Sequence, residues 1–270
     1  RTTSSPRISA LKARSGVFAG QPDDSGCSDL YSAIQLAIDG PFAEGLASEA
    51  DNLVLRAART LAAEAGVSPQ GRIHLTKSLP IASGIGGGSA DAAATLLELC
   101  RLWQTDIPAG RLQEMALALG ADVPVCVDGR PAFIGGIGEE IVPAGRLPEA
   151  WLVLVNPKVP TPTPQVFKAR RGDFSLPARW QTPPADFEAL IAYLAACRND
   201  LTEPAITVAP AVADVLAAIA ATKGCRLARL SGSGATCFGL YGSAADAEAA
   251  QAEILRQQPG WWAVAARIAG

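Results

Sequence analysis

The residues best suited to chemistry form one run, Pro80-Ile81-Ala82-Ser83-Gly84-Ile85-Gly86-Gly87-Gly88-Ser89-Ala90, with four glycines in five positions. Glycine has no Cβ, so such a backbone bends through positive φ and approaches a ligand closely. An alanine- and leucine-rich stretch follows, predicted as a helix over about 89–103. Its first N–H groups and positive dipole end point back at whatever the loop encloses. A phosphate chain satisfies both features; a flexible turn before a core helix is the plainer reading. Two familiar phosphate loops are excluded by spelling. No lysine follows these glycines as a Walker A loop requires, and the place of the last glycine in a dinucleotide fingerprint from Gly84 is held by Ser89.

A second cluster, Ser231-Gly232-Ser233-Gly234-Ala235-Thr236, again sets glycines and hydroxyls in a short loop between two predicted strands. Alone it reads as a hairpin turn; beside the first cluster it reads as an opposite wall of one site. Asp122 is the carboxylate to single out. It stands after Gly120, which ends a predicted helix, and before the strand-like run 123–127. A carboxylate beside bound phosphates can take the proton of an attacking hydroxyl, and a loop aspartate can equally just cap a turn.

These residues need elements to position them. Asp51-Asn52 predicts an N-cap for a helix through Leu53, Ala57, Leu61 and Ala62 that stops at Gly66. A strand is predicted at 72–77 and a helix at 111–119. Short strand-like runs follow at 123–127, 132–134 and 139–142. The best candidate for a domain boundary is Gly145-Arg146-Leu147-Pro148. Beyond it, Trp151-Leu152-Val153-Leu154-Val155 is a continuous apolar run, the mark of a strand buried on both faces. Helices are predicted at 186–197 and 208–222, strands at 226–230 and 236–241, a helix opening on Ser243-x-x-Asp246, and a last strand at 261–268. The pattern is that of an α+β protein of two lobes.

The whole chain agrees with this plan. Its 270 residues suffice for two modest cores, with 49% hydrophobic residues and 6% aromatics. A net charge of −3, from 23 basic and 26 acidic residues, argues against nucleic acid as a partner. Six cysteines (Cys27, Cys100, Cys126, Cys197, Cys225, Cys237) lie far apart with no C-x-x-C pair, as buried, reduced thiols of a cytoplasmic protein would. The one histidine, His74, is expected on the solvated side of its strand. No uncharged apolar run reaches the ~18 residues of a membrane span. Residues 1–26 differ, being rich in Ser and Thr, with Arg1, Arg7, Lys12 and Arg14 and no acid before Asp23. That is the composition of a transit peptide or an unstructured extension rather than of a folded strand.

Taken together, several motifs resemble the GHMP kinase superfamily (galactose, homoserine, mevalonate and phosphomevalonate kinases). They are residues 79–94, Gly120-Ala121-Asp122-Val123-Pro124, Asn199-Asp200-Leu201 before a long helix, and the run from Leu230 to Phe238. Thr161-Pro162-Thr163-Pro164-Gln165-Val166-Phe167 is similar to the segment of the branch that phosphorylates a diphosphocytidyl sugar alcohol in the non-mevalonate route to isoprenoids. The resemblance covers residues 34–270. It implies the two-lobed GHMP kinase fold, with an N-terminal lobe like ribosomal protein S5 domain 2 at 34–148 and a ferredoxin-like C-terminal lobe at 149–270. It also implies that residues 80–90 wrap the phosphates of ATP with Mg2+, and that Asp122 is the general base for the substrate 2-hydroxyl. Phe167, with Thr163 nearby, would stack on the cytosine; a flat ring suits a nucleobase, although a lone Phe is more often core.

The start departs from that family's pattern. Neither an Ala-Lys-x-Asn-Leu strand nor an Asp-Gly-Tyr-His segment is found, and Lys12 lacks the asparagine two places on. Residues 1–33 are therefore expected to be an atypical segment, a truncated or out-of-frame start joined to an intact remainder. An N-terminal lobe without its first strand would expose a sheet edge, and loss of the lysine would slow phosphoryl transfer. Two further readings stand beside the kinase of the diphosphocytidyl substrate. One is a kinase of homoserine, mevalonate or a sugar; the other is a nucleotide-binding but catalytically impaired protein.

Overall fold

The computed structural model describes residues 16–20, 34–44, 46, 52–81 and 83–268. The remainder of the atypical segment, Lys12 and Cys27 included, lies outside the described residues, as does Ala82 of the glycine-rich run. The described chain forms two compact units, one of residues 16–81 and 86–129, the other of 83–85 and 130–268. The changeover at Gly129/Arg130 precedes the Gly145–Pro148 stretch, which lies inside the second unit.

The first unit begins with strands β1 (Gly16–Gly20) and β2 (Ile34–Asp39), helix α1 (Leu53–Ala65) and strand β3 (Gly71–Thr76). Helices α2 (Gly87–Leu102), α3 (Ala109–Leu119) and α4 (Val123–Asp128) complete it. The sheet order is β1-β3-β2, with β2 parallel and β1 antiparallel to β3. Helix α1 starts as expected, because the Asn52 side chain accepts from Val54 N at 3.0 Å. It stops at Gly66, whose φ of 64° is left-handed. Its buried face (Val54, Ala57, Ala58, Leu61) packs with Ala92, Ala93, Leu96 and Leu99 of α2 and with Ile73 and Leu75 of β3. The small alanines let these helix backbones come close.

Two expectations are corrected in this unit. Residues 16–20, read as part of an unstructured extension, form a strand pairing antiparallel to β3 from Gly16↔Thr76 to Gly20↔Arg72. That side of β3 is therefore covered. Residues 123–127, read as a strand, are the helix α4. Pro124 stands in its first turn, where a fixed φ and a missing N–H cost nothing. Val123, Pro124 and Val125 are buried there, and packing overrides the strand preference of valine.

The second unit contains a hairpin of β4 (Ala132–Gly135) and β5 (Glu140–Pro143), then strand β6 (Trp151–Asn156). Helices α5 (Thr163–Ala169), α6 (Phe187–Ala196), α7 (Thr202–Val208) and α8 (Ala211–Ala221) follow. Strands β7 (Leu227–Leu230) and β8 (Cys237–Tyr241), helix α9 (Ala244–Gln257) and strand β9 (Trp262–Arg267) end it. The main sheet is antiparallel in the order β7-β8-β6-β9. Strand β6 is internal, and its two side-chain sets serve two cores: Val153 and Val155 join Val212, Val215 and Ile219 of α8, while Leu152 and Leu154 join Leu190 and Ile191 of α6. Its unbroken apolar run follows from that position. Ser243 caps α9 by accepting from Asp246 N at 3.1 Å.

Three further corrections belong to this unit and to the thiols. The helix expected at 208–222 is α8, but the long helix expected after Asn199-Asp200-Leu201 is only the seven-residue α7. Pro210, which has no N–H to continue a ladder, separates them. The Thr163–Phe167 stretch, for which no element is predicted, is helix α5, with Pro164 in its first turn. Among the described cysteines, all free, only Cys237 is fully buried; Cys100, Cys126, Cys197 and Cys225 are half-buried.

Candidate active site

In the first unit the glycine-rich run opens helix α2. Gly86 is its N-cap at φ 73°, no side chain caps it, and no acid stands in the first turn. Methyl groups added at Gly86 and Gly88 would meet nothing within 4 Å. The first N–H donors of a 16-residue helix thus lack a side-chain acceptor, beside glycines that leave open space. An anionic group fits that place by charge and by shape.

Beneath this turn lies a buried ion pair. Lys77 Nζ meets Asp91 Oδ2 at 2.5 Å, with side-chain exposures of only 6% and 4%. The ammonium stands 3.6 Å from where a Gly87 methyl would be. Lys77 is fixed just past β3, its N–H donating to Asp39 O at 2.7 Å and its carbonyl accepting from Phe42 N at 3.2 Å. Gly40 must be glycine here, since its φ is +99° and a Cβ would lie 2.6 Å from Lys77 O. Asp91 Oδ1 is buried with no hydrogen-bond partner among the described residues.

Asp122 occupies the N-cap position of α4, inside the turn closed by Val123 N donating to Gly120 O at 3.0 Å. Burial first, then the charges of Asp122 and Asp91, push the Cys126 thiol up to about 11. Both carboxylates are therefore within electrostatic reach of one side chain. Among the described residues no group of three or more His, Cys, Asp or Glu is placed to hold a metal. His74 is on β3 as expected, though not simply solvated, with Nε2 2.9 Å from Asp39 Oδ2.

The other part of the glycine-rich run, residues 83–85, belongs to the second unit and is built into loop 231–236. Ser231 Oγ donates to Gly84 O at 2.9 Å and Thr236 N donates to Ser83 O at 3.2 Å. Gly84, at φ +74°, has Gly234 O 2.6 Å and Ser231 O 2.9 Å from where its Cβ would be. The same loop reaches helix α5, where Thr163 Oγ1 and Ser233 Oγ share a hydrogen bond of 2.8 Å. Phe167 follows Thr163 by four positions, hence on the same helical face, and is 42% exposed. Behind the loop, Asn156 Nδ2 donates to Thr236 Oγ1 at 2.9 Å, both residues being buried.

The residues singled out by sequence thus fall into two groups. Pro80, Ile81, Gly86, Gly87, Gly88, Ser89, Ala90 and Asp122 are in the first unit; Ser83, Gly84, Ile85, Thr163 and Phe167 are in the second. Sequence reasoning missed Lys77, Asp91, Asn156 and the side chain of Asn199. The available signal was polar residues standing in apolar surroundings, such as Asn156 at the end of β6.

Comparison with known proteins agrees with both units. The family described as GHMP kinases N terminal domain matches residues 52–130, and that described as GHMP kinases C terminal matches 184–259. A 4-diphosphocytidyl-2-C-methyl-D-erythritol kinase of Paramagnetospirillum magneticum is 53% identical over 252 residues, covering 93% of this chain and 88% of its own length. The kinase of the same name from Rhodospirillum rubrum is 50% identical over 237 residues, covering 88% of this chain and 78% of its own. A crystal structure of 4-(cytidine 5'-diphospho)-2C-methyl-D-erythritol kinase is similar with a TM-score of 0.72 and 32% identity, covering 94% of this chain and 85% of that one. A homoserine kinase from Cytophaga hutchinsonii shares the fold, with a TM-score of 0.64 at 16% identity over 89% of this chain and 83% of its own. These similarities do not favour the reading of an impaired nucleotide-binding protein.

Proposed function

Because the chain belongs to the GHMP kinase family, we propose that it transfers the γ-phosphoryl group of ATP to the 2-hydroxyl of 4-diphosphocytidyl-2-C-methyl-D-erythritol. The observation that carries this reading is the uncapped start of α2, open at Gly86 and Gly88, with Asp122 at the start of α4 acting on the same Cys126 thiol as Asp91 of α2. The kinase names of relatives about half identical to this chain support the choice of acceptor.

The residues have distinct tasks. The N–H groups at the start of α2, with the flanking residues 80–90, would hold the phosphates of ATP against the positive end of the helix dipole. Lys77 lies beneath that turn and keeps a cation close to it, neutralised in part by Asp91. Asp122 would accept the proton of the attacking hydroxyl. Exposed Phe167 offers a flat face to the cytosine, and Thr163 a hydroxyl on the same side of α5. Mg2+ would arrive with the nucleotide, since that ion is commonly held by phosphate oxygens and only one or two carboxylates. Among the described residues, no helix is long and apolar enough to cross a membrane. The free cysteines suit a cytoplasmic setting, where thiols stay reduced.

The test is direct. The purified chain is given ATP, Mg2+ and the diphosphocytidyl substrate, and phosphorus NMR follows appearance of a phosphomonoester with ADP. Phosphorylation of homoserine or mevalonate in preference to this acceptor would overturn the substrate. Transfer to none of the three would overturn the kinase reading.

A further inference from the structure

Loop 231–236 is bonded to Gly84 of the glycine-rich run on one side and to Thr163 of α5 on another. A residue outside the loop is also bonded to it. Asn199 Nδ2 donates to Leu230 O at 3.0 Å and to Gly232 O at 2.8 Å. These carbonyls belong to the residues on either side of Ser231, so the peptide groups 230–231 and 232–233 are both held. The direction of the Ser231 side chain follows, and its hydroxyl is directed at Gly84 O. The amide of Asn199 is itself fixed, since its Oδ1 accepts from Leu201 N at 2.9 Å. The next residue, Asp200, anchors the chain by accepting from Ser175 N and Ser175 Oγ, each at 2.7 Å, and from Arg198 Nε at 2.7 Å.

We propose that Asn199 is a positioning residue of the kinase. Through Ser231 it sets residues 83–84 of the phosphate-binding run, and through the same loop and Ser233 it sets Thr163 of the acceptor-binding helix. One asparagine therefore keeps two binding elements of the second unit in a common register. The inference rests on the kinase reading above, which supplies the identity of the two ligands.

The loop geometry gives the idea a specific signature. Ser231 serves the ATP side and Ser233 the cytidine side, while Asn199 serves both. Calorimetry with a non-hydrolysable ATP analogue and, separately, with CDP reads the two sides without relying on turnover. Asn199→Asp keeps the acceptor for Leu201 N but sets an oxygen against two carbonyls. It is expected to weaken both ligands about tenfold, the scale of one lost hydrogen bond to a positioned group. Ser231→Ala is expected to weaken only the analogue and Ser233→Ala only CDP, each several-fold, with Ser231→Thr restoring analogue binding. The double variant Asn199→Asp/Ser231→Ala should bind the analogue no more weakly than Asn199→Asp alone, since both lie on one relay.

A purely structural Asn199 gives a different pattern. Its aspartate variant would melt earlier yet bind both ligands like wild type at temperatures where it is folded, and that result overturns the proposal. Wild-type phosphorylation of the acceptor alongside unchanged binding in all the variants also overturns it, while leaving the kinase reading intact. A wild-type chain that binds neither ligand sinks both. Should Asn199→Asp fail to fold, the Ser231 and Ser233 variants decide: opposite ligand selectivity supports the relay, and equal effects on both ligands overturn it.

Discussion

Gly84 and Gly88 stand four positions apart in one glycine-rich run, yet a methyl group added at each would meet different surroundings. At Gly84 it would strike the carbonyls of Gly234 and Ser231, at 2.6 and 2.9 Å, from a backbone already at φ +74°. At Gly88 it would meet nothing within 4 Å, on an ordinary helical backbone. The first glycine is there because another backbone fills its side-chain space. At the second the protein itself leaves that space empty, as a ligand-facing position requires. A run of similar letters thus contains one part for construction and one that we propose for binding, and substitutions should separate them.

The largest effect is expected where only chemistry is touched. Asp122→Asn keeps the shape of the α4 start while removing the proposed base. Turnover of the diphosphocytidyl substrate should fall by about 10²–10⁴, with nucleotide affinity and melting temperature nearly unchanged. Steady-state kinetics and a thermal scan decide it. A fall of less than tenfold would remove Asp122 from the role of base.

Next comes the support under the binding part. Lys77→Met leaves Asp91 buried and charged without its partner, and breaking such a pair costs about 3–5 kcal/mol, read by denaturant unfolding. Replacing both, as Lys77→Met/Asp91→Leu, should recover most of that stability, because apolar side chains of similar size fill the space without desolvating charge. Analogue affinity should not recover with it, since the cation beneath the first turn of α2 is gone. Recovery of both together would make the pair a packing feature only.

Gly84→Ala tests the construction part. Strain at positive φ and contact with two carbonyls should lower stability by about 3 kcal/mol. Analogue binding should weaken in step, because residues 83–85 are held by the same loop that would have to move.

The contrast between the two parts also explains what could be read from sequence. The glycine run, the α1 cap at Asn52 and the buried strand β6 are signalled by residues within a few positions of each other. Asp122 could be singled out for the same reason, standing at the junction that Gly120 marks. What escaped depends on distant partners. Lys77 and Asp91 are 14 residues apart, each in apolar company. Asn199 acts on carbonyls 31 and 33 residues away. Strand β1 forms against β3, whose distance along the chain hides the pairing, and α4 carries valines that read as strand until packing decides otherwise. Local letters pick out candidate binding residues; only the fold reports what holds them.

Gly88→Ala gives the smallest change in stability and the sharpest cut between the two parts. Alanine has the higher helix propensity, by up to about 1 kcal/mol, and its methyl at this position touches no protein atom. The variant should therefore be as stable as wild type or slightly more so. The added methyl would occupy the space beside the uncapped N–H groups of α2, where the phosphates are proposed to lie. Affinity for a non-hydrolysable ATP analogue should accordingly fall about tenfold, equivalent to about 1.4 kcal/mol, against a steady or rising melting temperature. Opposite signs in the two measurements would mark Gly88 as glycine for the sake of the ligand. An unchanged affinity would mean that the open space at the start of α2 is not where the phosphates sit.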